Sequence, residues 1–250
     1  MIEVYFLRHG QTLYNQQNNR YCGRTDVPLT PLGLKQARNI HQLVQGISFE
    51  GVYSSPLERA YHTAILASGG NLGQDDASVM KDDRLIEVDF GQWEGLRRDE
   101  FSKQDPESWL NWDSDPGRFP AGRTGETAAS VIDRVDRFFD EMLLKYTTVD
   151  PDLNQSAAAG YGATACPAKI MVVAHNGVNR LYLAHKLGMP LRNYRQLVQD
   201  NSTLTIFTLE SVTSVKESER KGENKVDRTD ENMRSSGGSL LTLKMLNGRN

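Results

Sequence analysis

Hydrophobic positions along the chain fall into two periods. Ile2 to Leu7 and Ile170 to Ala174 are near-continuous apolar runs, the pattern of strands covered on both faces, as in a parallel sheet. Between and after them, shorter strands are predicted at Gly51–Ser54, at a strand end through Arg84–Val88, and at Thr203–Leu209, with a last one at Ser239–Leu246 that pairs as a hairpin with 203–209. A period of 3.6 recurs in Leu34, Ala37, Ile40 and Val44, so a helix opens at Thr30-Pro31 and runs to about Gly46. Ser55-Pro56 repeats that opening for a helix through Ala60, Ile65 and Leu66. Short helices around Trp109 and Trp112 are broken by Pro106, Pro116 and Pro120. The clearest helix follows Thr124-Gly125-Glu126-Thr127 and carries Val131, Val135, Phe138, Phe139, Met142 and Leu143 on one stripe. Another begins at Asn179 and closes at Gly188-Met189-Pro190. Segments 11–30 and 69–83 read as polar connections, and 150–168 and 211–238 as flexible loops. This alternation predicts one α/β domain over residues 1–250, three layers α/β/α around a mostly parallel central sheet.

Composition narrows the class. A chain of 250 residues with a net charge of -3 and interspersed signs shows no nucleic-acid footprint. Two cysteines, Cys22 and Cys166, are too few for a disulfide framework and lack metal-ligand spacing. No apolar run approaches the ~20 residues of a membrane helix, and the N-terminus lacks a secretory leader pattern. The expectation is a cytoplasmic protein with no membrane and no nucleic-acid partner; a homodimer is left open.

The candidate chemistry lies where strands end. Arg8-His9-Gly10 follows the first run and His175-Asn176-Gly177 the second, and Arg59 sits in the first turn of the helix after Ser54. Ligands of open α/β sheets bind outside the carboxyl ends of the strands, and a helix N-terminus favours anions. Two arginines and a histidine can hold the oxygens of a phosphoryl group. A second histidine can attack phosphorus, and a carboxylic acid must then protonate the leaving oxygen. Glu87, Asp89 and Glu94 are all candidates for that acid. No phosphate-binding loop ending in Lys-Ser or Lys-Thr and no two-metal carboxylate cluster is present, so neither a metal nor any other cofactor is expected.

Leu7-Arg8-His9-Gly10 with Thr12 and Asn15 resembles the signature of the histidine phosphatase superfamily, which includes cofactor-dependent phosphoglycerate mutase. Further matching blocks are Asp26–Gly33, Ser54–Ala60, Glu87 with Phe90–Gly95, and Ala174–Gly177. The resemblance implies a phosphoglycerate mutase-like fold and a phosphohistidine on His9. It makes Arg8, Arg59 and His175 the phosphate pocket, with Asn15 and the backbone at Asn176 assisting, and it selects Glu87 as proton donor. Cys22-Gly23 lies where mutases contact the substrate carboxylate. The acidic, aromatic segment after Glu87 resembles the phosphatase branch, implying hydrolysis, and the Val173–Arg180 block, which departs from the commoner Ser-His-Gly-Gly pattern, resembles versions that imply a small phosphorylated acid, phosphoserine or sugar phosphate. The alternatives are a 2,3-bisphosphoglycerate-dependent mutase and a phosphate-sensing or phosphopeptide-binding module. A pure binder would need neither nucleophile nor acid.

Overall fold

The structure, a computed structural model, describes residues 1–73, 76–147, 166–211 and 239–248. Six strands form one sheet: β1 (Ile2–Arg8), β2 (Gly51–Ser54), β3 (Val79–Lys81), β4 (Ala168–Ala174), β5 (Leu204–Ser211) and β6 (Ser239–Gly248). Their order is β3-β2-β4-β1-β5-β6. The first four in that order run parallel, while β5 is antiparallel to β1 and to β6, so the sheet is mixed, with the expected hairpin at one edge.

Alternation along β1 and β4 builds two cores. Ile2, Val4 and Phe6 join Ile170, Val172 and Ala174 under α6 (Ala128–Thr147) and α7 (Asn176–Lys186). Tyr5, Leu7, Met171 and Val173 face α2 (Pro31–Leu43) and α3 (Glu58–Ser68) on the other side. Phe6 is the hub of the first core and stands edge-on to Phe139, Tyr182 and Phe207. Burying both faces of the central strands is what their continuous apolar runs require. Two short helices, α4 (Arg98–Gln104) and α5 (Pro106–Ser114), carry Phe101, Trp109 and Trp112 into a buried cluster with Trp93.

Several predicted boundaries move, each for a local reason. α2 is capped by Thr30, which accepts from the Gly33 amide as expected, and it ends at Leu43 rather than near Gly46. Ser55 does not cap α3: its hydroxyl is engaged by His175 and the Leu57 amide, and the Glu58 amide donates instead to the Asp26 carboxylate. α6 starts after Thr127, whose hydroxyl accepts from the Ser130 amide, rather than after Thr124. Arg84–Val88 is no strand end; Asp83–Leu85 form a 3-10 turn capped by Asp82. The strand lies earlier, at β3, where three residues with one buried side chain leave no alternation to read. α1 (Leu13–Gln16), within the region read as loop, is held by Thr12 and Asn15 in a reciprocal capping box. α7 begins directly at Asn176 instead of Asn179. Of the two loops expected at 150–168 and 211–238, Ala168 begins β4 and Ser211 ends β5, while residues 150–165 and 212–238 lie outside the described residues.

Candidate active site

β1 and β4 pair in parallel register, Arg8 opposite Ala174, so the two residues that follow them, His9 and His175, emerge side by side. Their ring centroids are 5.2 Å apart. The His9 amide donates to the Ala174 carbonyl, and the Ser55 amide to the Val173 carbonyl, which brings the end of β2 to the same edge. Gly10 is fixed by crowding, because a Cβ there would lie 2.5 Å from the Gly33 carbonyl oxygen.

Nδ1 of His9 lies 2.7 Å from the Gly10 carbonyl oxygen. A carbonyl only accepts, so Nδ1 carries the proton and Nε2 keeps its lone pair. Burial, then Arg59 and Arg8, hold the His9 pKa well below the usual imidazole value. His175 is depressed likewise by burial and by Arg59. Both rings are therefore neutral near pH 7. The Nε2 of His175 is 2.7 Å from the Ser55 hydroxyl, and its Nδ1 is buried without a partner among the described residues.

Both arginines are buried and partly spent on the loops around them. Arg8 donates through Nη1 to the Gln199 carbonyl, and burial pushes its pKa down to about 10, which leaves it charged. Arg59 donates to the carbonyls of Thr25, Cys22 and Gly23. In each, Nε is buried and has no partner among the described residues. Glu87 is gripped by three backbone amides: Val88 and Val178 donate to Oε1, Gly177 to Oε2. A helix N-terminus offering free N–H groups explains that grip. Gly177 must lack a side chain, since a Cβ would stand 2.6 Å from Glu87 Oε1.

The expected residues thus fall in one place. Arg8, His9, Asn15, Cys22, Glu87 and Asn176 line a cavity of about 780 Å³, whereas Arg59 and His175 are fully buried and do not line it, His175 lying beside His9 and Arg59 bonded to the Cys22 and Gly23 carbonyls. Asn15 Oδ1 accepts from the Thr12 amide and from Asn201 Nδ2. The Cys22 thiol donates to the Thr25 carbonyl and burial pushes its pKa up to about 11, so it lines the cavity as a neutral group. Gly23 contributes its carbonyl to Arg59 and does not line the cavity. Of the other two acids, Glu94 binds the Arg24 and Thr25 amides, and Asp89 binds the Gly91 amide, so both organise loops. Among the described residues, no group of three or more His, Cys, Asp or Glu side chains is placed to hold a metal ion, and no helix is long and apolar enough to cross a membrane.

Sequence reading missed several supports: Ser55 behind His175, Thr63 accepting from the Gly10 amide, Asn179 donating to the Leu7 carbonyl, and the 199–203 strap around Arg8 and His9. Ser55 read as a helix cap, Thr63 only as a neighbour of Arg59 one turn along its helix, and Asn201-Ser202-Thr203 only as a glycosylation-type tripeptide.

Two buried neutral histidines make stability depend on acidity. Their pKa values are lower folded than unfolded, so the unfolded chain binds more protons between pH 6.5 and the depressed folded values. Stability is full above about pH 6.5 and falls as pH drops, by up to roughly 1.4 kcal/mol per pH unit for each ring. Urea midpoints at pH 5.0 and 7.0 check this; equal midpoints would contradict it.

Comparison with known proteins places the chain in a family. The model of the histidine phosphatase superfamily, branch 1, matches residues 4–151 and 152–218. Phosphoserine phosphatase 1 of Hydrogenobacter thermophilus is 29% identical over 84% of this chain and 88% of its own length. The adenosylcobalamin/alpha-ribazole phosphatase of Escherichia coli is 32% identical over 76% of this chain and 81% of its own. Among solved structures, mycobacterial glucosyl-3-phosphoglycerate phosphatase superposes with a TM-score of 0.64 at 28% identity, over 82% of this chain and 89% of that one. The phosphoglycerate mutase-like fold expected from the sequence is the fold observed, and the chain belongs to the histidine phosphatase superfamily, branch 1.

Proposed function

We propose that this enzyme hydrolyses a small phosphorylated metabolite through a covalent phosphohistidine on His9. It is a phosphomonoesterase of the histidine phosphatase class, and relatives named for phosphoserine, alpha-ribazole and glucosyl-3-phosphoglycerate support a small-molecule substrate. The observation that carries the residue roles is a neutral histidine with its Nε2 lone pair fixed, beside three buried nitrogens with no partner among the described residues: Arg8 Nε, Arg59 Nε and His175 Nδ1. Those donors suit the equatorial oxygens of a phosphoryl group. With Ser55 donating to His175 Nε2, the proton sits on Nδ1 and is available to the phosphate.

In the first step His9 Nε2 bonds to phosphorus as the ester P–O bond breaks, and Glu87 gives its proton to the departing oxygen. In the second, Glu87 takes a proton from water, the resulting hydroxide oxygen bonds to phosphorus, and the P–N bond returns its electrons to His9. Preorganised positive charge meets the charge that develops between these steps. Asn15 and the Asn176 backbone assist the pocket, and residues 1–250 act as one domain.

The test is a rapid quench with a labelled phosphomonoester. The expected result is an acid-labile, base-stable label at one per chain that decays with the release of phosphate. Label-free turnover would overturn the proposal. Phosphate transfer dependent on 2,3-bisphosphoglycerate, without net release, would favour the mutase reading.

A further inference from the structure

We infer that Arg180 is a specificity residue that binds a carboxylate of the substrate, a few bonds from the scissile phosphate, so that the substrate is a phosphorylated carboxylic acid. The inference rests on the phosphatase reading above.

Six arginines line the cavity: Arg8, Arg20, Arg97, Arg98, Arg180 and Arg195. Three are already paired with carboxylates, Arg20 with Glu100, Arg97 with Asp99 and Glu100, and Arg195 with Asp113. Arg8 belongs to the phosphate site, and Arg98 is exposed, lying over the Trp109 ring. Arg180 is different. It is half-buried, its guanidinium lies 5.3 Å from the Tyr194 ring centroid, and its Nε donates to the Tyr194 carbonyl. No carboxylate lies within ion-pair distance of it among the described residues, Glu87 acting on it only through space, and neither Nη group meets a protein acceptor there. A partly desolvated cation with two unspent donors in a fork is matched by the two oxygens of one carboxylate.

Its position fits that guest. Arg180 is four residues after Asn176 on α7, so the two share a face, and a helical side chain leans back toward the N-terminus. That places the guanidinium above the helix start that grips Glu87, near enough to Arg8 to lower that residue's hold on its proton. A substrate with its phosphoryl group on His9 therefore has Arg180 along its length.

The other place implied for a carboxylate, around Cys22-Gly23, is partly committed to the protein itself. The Cys22 and Gly23 carbonyls accept from Arg59, and the Arg24 and Thr25 amides donate to the enzyme's own Glu94.

Matched pairs test this. 3-Phosphoglycerate and glycerol 1-phosphate differ by a carboxylate against a hydroxymethyl group, and phosphoserine and phosphoethanolamine by a carboxylate against hydrogen. One charge-assisted contact predicts a kcat/KM preference for the better-fitting acid of roughly ten- to hundredfold over its partner. Arg180→Gln should bring that ratio toward one, and Arg180→Lys should recover part of it. A wild-type ratio near one in both pairs, or a ratio unchanged in Arg180→Gln, overturns the inference while leaving the phosphatase reading standing. Preference for 1,3-propanediol bisphosphate over the acids would overturn the carboxylate assignment. Hydrolysis of none of these, nor of p-nitrophenyl phosphate, would remove the phosphatase reading and this inference together.

Discussion

His9→Ala is expected to lower kcat/KM by at least about 10^4-fold on any phosphomonoester the enzyme accepts, and to abolish labelling of the chain. The size follows from the site. The proposed donors, Arg8, Arg59 and His175, would still bind and polarise the phosphoryl group, but among the described residues no other neutral imidazole lines the cavity to attack phosphorus. His175 is its nearest rival, with its ring centroid 5.2 Å away, yet its Nε2 is tied to Ser55. The cavity left by the ring is small and sits at a strand end rather than in either apolar core, so the variant should fold. Label retained in His9→Ala would move the nucleophile to His175, and near-normal turnover would end the covalent mechanism altogether.

Glu87→Gln should be the second largest effect, about 10^2- to 10^4-fold, and its value lies in how it varies with the leaving group. An alkoxide must be protonated as it departs, whereas a nitrophenolate need not be. The loss should be near its maximum for alkyl phosphates and shrink toward the activated aryl phosphates. A second influence has to be separated. The carboxylate accepts from three amides, and glutamine presents only one acceptor oxygen, so the Gly177 N–H would face an amide NH2. Disturbance of the α7 start would slow every substrate alike. A flat loss across the series would therefore make Glu87 a brace for the helix and not the proton donor.

The contrast between these two residues explains what could be read from the sequence. His9 and His175 were legible as candidates because strand and candidate site are contiguous in the chain: an apolar run predicts the strand, and the polar residue that follows it lies at the sheet's carboxyl edge. Parallel pairing of β1 with β4 then does the rest. Glu87 was not separable from Asp89 and Glu94 by composition or spacing. What distinguishes it is contact with amides ninety residues away at Gly177 and ninety-one away at Val178, a relation absent from local pattern. Only the resemblance to a family chose it. Ser55 shows the same limit in reverse, since a serine before proline reads as a cap until the tertiary structure gives its hydroxyl to His175. β3 and α1 were missed because elements of three and four residues are too short to show a period. Arg180 lies in the block that hinted at a small phosphorylated acid, but nothing singled out its own side chain, because an arginine on a helix is ordinarily solvated.

The direction of β5 has a consequence for the whole molecule. Because it runs against β1, the strap at 199–203 arrives at the edge where His9 emerges, and Ser211 leaves from the opposite edge, where it pairs with Ser239. The sheet thus has a working end and a plain end. Everything that must be held to a fraction of an ångström is gathered at the first, while the two attachment points of residues 212–238 are both at the second. Ser211 and Ser239 are separated from His9 by the full height of the strands, so a change in the number of residues joining them need not shift the strand ends that hold the site.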